Sequence, residues 1–199
     1  MKRILLLVFA LAVAGCALLG KNEPLVPRYF TPEYEGDAPA VKRRSDLQLR
    51  LGRIEGWSHL RERMVRNANR ELFYYEDRRW TERPEIYLRR ALSRALFEER
   101  GVIESLSSRA VTLDVELIAF EEIEQPHQAR MQALLTLRDD RTGLFEETIT
   151  VERPVAKVAG PDQARAVADA LSQALHEGVT RIADRVLAKL DGQAPRAGN

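Results

Sequence analysis

Three histidines, one cysteine, one acidic run and a set of arginines are the residues of this sequence that could do chemistry. Hydrolysis needs a nucleophile beside a base, or two carboxylates in different environments. His59 and His127 fall in expected loops and His176 on a long helix, none in a shared motif, and no HExxH occurs. His176 lies beside an apolar stripe and reads as a helix-surface residue. Glu121-Glu122-Ile123-Glu124 could supply oxygen to a hard cation, yet calcium loops need spaced ligands and a turn glycine. The expectation is a solvated acidic connection. Cys16 is the only cysteine, which excludes an internal disulfide and a CxxC redox or zinc site. Gly15 to Lys21 fits the start of a phosphate-binding loop, but Asn22 replaces the magnesium-holding Ser or Thr. Such a loop must also join a core strand to a helix. The sequence thus predicts no catalytic residue, no metal and no cofactor, and the protein is expected not to be an enzyme.

Cys16 has a different use. Lys2-Arg3 is a basic start, Ile4–Ala14 is eleven uninterrupted apolar residues, and Val13-Ala14-Gly15-Cys16 resembles the bacterial lipoprotein cleavage box. Eleven residues are too few to span a bilayer, which needs about 20. Residues 1–15 are therefore expected to be a signal peptide. By resemblance to lipoproteins, the Cys16 thiol receives a diacylglycerol group and the new amine an acyl chain such as palmitate. Ala17 stands where an aspartate would signal inner-membrane retention, so the resemblance implies an outer-membrane anchor facing the periplasm. Loss of Lys2 and Arg3 leaves 29 basic against 30 acidic side chains in the mature chain. That balance argues against nucleic acid as a partner.

Residues 16–45 hold four prolines and little periodicity, and read as the lipidated cysteine and a flexible tether. Tyr29, Phe30 and Tyr34 within it offer a second outcome, docking on the domain or on a partner. Residues 46–190 are expected to form one domain. Leu47, Leu49 and Leu51 alternate as a strand, with Gly52 at its end or in a bulge. A short strand near Met64, an Asn-centred turn and the aromatic run Leu72–Tyr75 follow. Pro84 opens a helix whose Leu88, Ala91, Leu92, Ala95 and Leu96 share one face and which stops at Gly101. Val111–Leu117, Met131–Leu137 and Phe145–Val151 read as three antiparallel strands, and Glu121–Gln128 as a connection. Pro161 begins a second helix that holds its apolar stripe to Leu190, with Gly178 on the stripe allowing either close approach to the sheet or a bend. Residues 191–199 are a polar tail. The pattern specifies an α+β fold: a two-layer domain with a mostly antiparallel sheet and two amphipathic helices on one face.

The run Glu71-Leu-Phe-Tyr-Tyr-Glu-Asp-Arg-Arg-Trp80, then Pro84 and the Leu/Ala-rich helix, resembles the auxiliary lipoproteins of ABC-type transporters of the MCE lipid-trafficking class. The resemblance covers about Leu47 to Leu190. It implies a periplasm-facing component that docks on, or assists lipid transfer by, an MCE-domain protein with its permease and ATPase. Phospholipid is a further expected ligand. The alternative is a regulatory outer-membrane lipoprotein that activates an envelope enzyme such as a peptidoglycan synthase. Arg78, Arg79, Arg89, Arg90, Arg130 and Arg138 are the candidate contacts for partner or lipid. The bland expectation for the Arg78–Arg90 group is a solvated, ion-paired surface. Trp80 is expected to fill the corner between helix and sheet.

Overall fold

Alternating apolar residues build the centre of the sheet. The computed structural model describes residues 25–32, 41, 43–140, 142–160 and 162–193. Cys16, Tyr34 and Pro161 lie outside the described residues. Eight strands are described: β1 (Arg28–Phe30), β2 (Arg44–Gly56), β3 (Arg63–Ala68), β4 (Glu71–Trp80), β5 (Val102–Glu104), β6 (Thr112–Ile123), β7 (Gln128–Arg138) and β8 (Gly143–Pro154). Strands β6, β7 and β8 pair antiparallel over eleven residue pairs at each junction. Leu113, Val115 and Leu117 stand opposite Leu137, Leu135 and Ala133, all buried under the helices.

Strand β6 runs farther than its first alternation announces. A bulge between Leu117 and Ala119 inverts its phase, so Phe120 and Glu122 join the helix-facing side opposite Met131 and Ala129. The expected solvated acidic connection is therefore wrong: Glu121 is 2% and Glu122 4% exposed, both within the strand. The other edge of β6 carries two strands in succession. β2 pairs parallel with its first half, and β3 parallel with Glu121–Ile123. β4 returns antiparallel to β3, β1 lies parallel on β4, and β5 parallel on β2. Among the described residues the sheet is mixed, but no parallel ladder exceeds five pairs, so antiparallel pairing predominates.

Two helices cover one face of this sheet. Pro84 occupies the first turn of α1 (Pro84–Ser93), which continues as a π-helical turn over Arg94–Glu98. Gly101, with φ 68°, then ends the segment. Tyr87, Leu88, Ala91, Leu92, Ala95 and Leu96 are buried against β2 and the second helix. That helix, α2 (Asp162–Gln193), is about 48 Å long at 1.5 Å per residue and lies over β6, β7 and β8. Gly178 meets the sheet so closely that a Cβ there would stand 2.5 Å from Met131 Sδ.

Three boundaries differ from the expectation, the first being that β2 begins at Arg44, inside the expected tether. Three residues of the expected tether, Arg28–Phe30, are a strand, because β4 would otherwise present an open edge and Phe30 finds the core beside Trp80. The helix also continues through Gln193, into the expected polar tail. Trp80 fills the corner as expected: it is 1% exposed, its ring centroid 5.1 Å from Phe120 and 6.2 Å edge-on from Tyr87.

Candidate functional site

An open concavity follows from the docking of β1. Thr81 donates its amide to the Phe30 carbonyl at 3.0 Å, and the Thr31 and Thr81 hydroxyls meet at 2.9 Å. The strap so fixed stands apart from the outward face of α2, and Arg153 and Pro154 at the end of β8 close the gap from below. The result is an open groove of about 1140 Å³, lined by Tyr29, Phe30 and Thr31 and by α2 from Arg165 to Thr180. Its wall is mixed. Ala168 is buried, Tyr29 is 63% exposed, and Glu177 joins Arg153 to Arg181 in a three-member ion cluster. The Ser172 hydroxyl donates to the Ala168 carbonyl one turn back at 2.9 Å, so its proton is engaged within the helix. His176 lines the groove as a helix-surface residue. The wall suits an extended chain or a polar headgroup with a short apolar stem.

The six candidate arginines do not form one patch. Arg78 is largely buried, its guanidinium 3.9 Å from the Tyr75 ring centroid and 4.0 Å from Glu122. It is no solvated surface residue, because the inverted phase of β6 brings an acid beneath it. Arg79 Nε is buried without a hydrogen-bond partner. Arg89 donates to the Gly52 carbonyl at 2.7 Å, and Arg90 binds Glu82 with its guanidinium 5.3 Å from the Tyr87 ring. Arg130 pairs with Glu121 and Arg138 with Asp114, at 2.8 Å for the latter, on the sheet face away from the helices. Arg89 and Arg90 on α1 and Arg130 and Arg138 on β7 thus belong to different faces.

Two polar clusters escaped sequence reasoning. In the first, Asp114 accepts the Arg53 amide at 2.7 Å and the Arg138 Nε–H at 2.8 Å. Burial alone would raise its pKa, but the Arg53 amide and Arg138 outweigh it and hold the carboxyl below the usual range. The carboxylate sits where a side chain at position 52 would be: a Cβ on Gly52 would stand 2.1 Å from Asp114 Oδ1. The β2 bulge between Leu51 and Ile54 is built around it. In the second, Glu122 accepts from the Tyr75 hydroxyl and lies 3.0 Å from His127 Nε2, which in turn meets Gln163 Nε2 at 3.1 Å. Burial first, and then the Glu122 bond, push the Tyr75 hydroxyl well above its ordinary pKa. His127 has φ 69° and His59 stacks edge-on against Trp57 at 6.2 Å, so the three histidines are dispersed. Among the described residues no three His, Cys, Asp or Glu side chains gather as a metal-binding group. The signal for the second cluster was present in the sequence as the break in alternation after Leu117.

The fold and groove define a two-layer α+β domain whose open surfaces are suited to contact. The chain belongs to the family of ABC-type transport auxiliary lipoprotein components, whose model matches residues 37–183. In fold it is similar to protein XCC0632 from Xanthomonas campestris, with a TM-score of 0.66 at 20% identity over 83% of this chain and 98% of that one. A second crystal structure, of an uncharacterized protein, superimposes with a TM-score of 0.62 at 16% identity over 81% of this chain and 99% of the other. No curated protein matches the chain significantly. Among the described residues no helix is long and apolar enough to cross a membrane.

Proposed function

We propose that this protein is a lipid-anchored accessory of an MCE-class ABC system that moves lipid between the membranes, acting by docking and not by catalysis. The observation that carries the reading is the family match across residues 37–183, which takes in β2 to β8, α1 and most of α2. Cys16 supplies the anchor in the outer membrane, with the domain in the periplasm. Two or three acyl chains, at about 0.8 kcal/mol for each buried CH₂, make such an anchor effectively permanent. The groove beside α2 and the arginines on α1 and β7 are the surfaces offered to the MCE-domain protein, to the permease and ATPase, or to phospholipid.

The test is affinity capture of the full chain from membranes, with mass spectrometry of bound protein and lipid. An MCE-domain protein should be recovered. Charge reversal at Arg89 and Arg90 should weaken its recovery, and salt should weaken it too, since exposed charges are screened beyond about 10 Å at 0.1 M. Recovery of an envelope synthase without MCE protein or lipid would favour the activator function and overturn the transport reading. Cys16→Ser should abolish incorporation of a palmitate analogue, and persistent incorporation would remove the anchor assignment.

A further inference from the structure

We infer that the end of the sheet where β4 begins rests on the same bilayer that holds the Cys16 anchor, with the β3–β4 hairpin set into its phospholipid headgroup layer. This rests on the proposed acylation of Cys16. Strand direction supplies the first argument. β1 is parallel to β4, with Arg28 opposite Arg78 and Phe30 opposite Trp80, so the chain enters the sheet from the Glu71 end of β4. Leu25 lies nine residues after Cys16, at most about 30 Å of extended chain. An acyl anchor on so short a lead brings the bilayer to this end of the domain.

The distribution of exposed apolar side chains supplies the second. Eleven large ones are exposed among the described residues, and three of them, Leu72, Phe73 and Tyr74, follow one another at this end. The register sets Leu72 level with Asn67, Ile123, Gln128 and Pro154, and Val158 follows shortly after Pro154. One rim thus carries a run of three in succession, which isolated exposure on an ordinary surface does not explain.

The hairpin itself supplies the third. It turns on Asn69 and Arg70, both left-handed at φ 53° and 70°, the tight two-residue turn that matches strand twist. Leu72 and Phe73 point to opposite sides of β4 yet are 44% and 41% exposed. A strand packed on a core hides one side, and the first four residues of this one hide neither. The Arg66 guanidinium lies 5.4 Å from the Phe73 ring and 5.7 Å from the Tyr75 ring, and Arg70 caps the tip. Aromatic rings beside arginines match the layer where acyl chains meet headgroup phosphates.

The test uses the full chain, matured with its own signal, carrying Leu72→Cys. Acylation consumes the Cys16 thiol as a thioether, so one thiol is open to an environment-sensitive dye. In vesicles of phosphatidylethanolamine and phosphatidylglycerol, dye at position 72 should be quenched by nitroxide-bearing lipid and shielded from aqueous iodide. Phe73→Cys, on the other side of the strand, should behave alike. Leu106→Cys is the control: it is 90% exposed and precedes Thr112, at the opposite end of β6, so its dye should respond to iodide only. A single labelled thiol in vesicle-bound protein, with position 72 behaving as position 106, overturns the inference and leaves the anchor standing. Shielding from iodide without nitroxide quenching also overturns it, because a protein and not lipid then covers the hairpin. Two labelled thiols per chain overturn the anchor, and the inference with it.

Discussion

Replacing Trp80 by alanine should destabilise the domain by about 3–5 kcal/mol, the range for truncating a large core aromatic. The magnitude follows from its surroundings. The indole is 1% exposed, and a buried tryptophan withdraws roughly 200 Å² from water, worth about 5 kcal/mol at 25 cal/mol per Å². Contacts with Phe120 and Tyr87 add about 0.5–1.5 kcal/mol each. Partial collapse of those rings into the void, and a denatured chain that already hides some apolar surface, bring the figure back down. The backbone amide of Trp80 donates to the Glu62 carbonyl at 2.6 Å and is kept in the alanine variant. The loss therefore reports the indole alone. Urea unfolding of the Cys16→Ser chain, followed by circular dichroism, measures it as a shift in midpoint at constant slope. Trp80→Phe keeps a ring against Phe120 and should lose less. A change below about 0.5 kcal/mol, the range of an uninvolved surface site, would refute the corner packing.

Three further outcomes are expected. A chain starting at Val41 should unfold at lower urea than one starting at Leu25, by up to about 3 kcal/mol, because it loses Phe30 and leaves the β4 edge open; equal midpoints would show that β1 contributes nothing. Asp114 has a folded pKa below its unfolded value of about 3.9, so its contribution is present above that pH and is lost as pH falls through the folded value. Thermal midpoints against pH should therefore fall less steeply below about pH 4 in Asp114→Asn than in the parent chain. Tyr75 has a raised folded pKa, so stability should decline as pH climbs past the unfolded value of about 10, and Tyr75→Phe should remove that decline. Ultraviolet titration would contradict this if every tyrosine ionised with the fold intact.

The parts of this fold that sequence reveals are those set by local period. Leu88 to Leu96 and Val167 to Leu190 repeat at helical spacing, and Leu113 to Leu117 and Met131 to Leu137 alternate, so both layers were legible. β1 was not, since three residues carry no period and Arg28–Phe30 become a strand only through β4, some fifty residues away. The pairing of both β2 and β3 with one edge of β6 was hidden for the same reason. Arg78 and Glu122 misled by composition. Each reads as surface charge until the bulge after Leu117 turns the second half of β6 over and buries the acid beneath the arginine and Tyr75.

The sharing of one edge of β6 by two strands accounts for the acids at the seams of the sheet. Because β2 and β3 follow one another along β6, the register must be set twice, and apolar side chains alone do not distinguish a strand from its neighbour slipped by two residues. Asp114 sets the first junction by filling the space that Gly52 leaves and taking the Arg53 amide. Glu121 and Glu122 set the second. Glu121 faces away from the helices to Arg130 and to Asn67 on β3, while Glu122 faces inward to Tyr75 and to His127, which reaches Gln163 on α2. A buried carboxylate is weak evidence for net stability, since apolar replacements of similar size are often neutral or better. Its use here is geometric. Five elements, β3, β4, β6, β7 and α2, are tied at the end of the sheet that carries the hairpin, so the direction of Leu72 and Phe73 relative to the helices is held by the same contacts that fix the strand register.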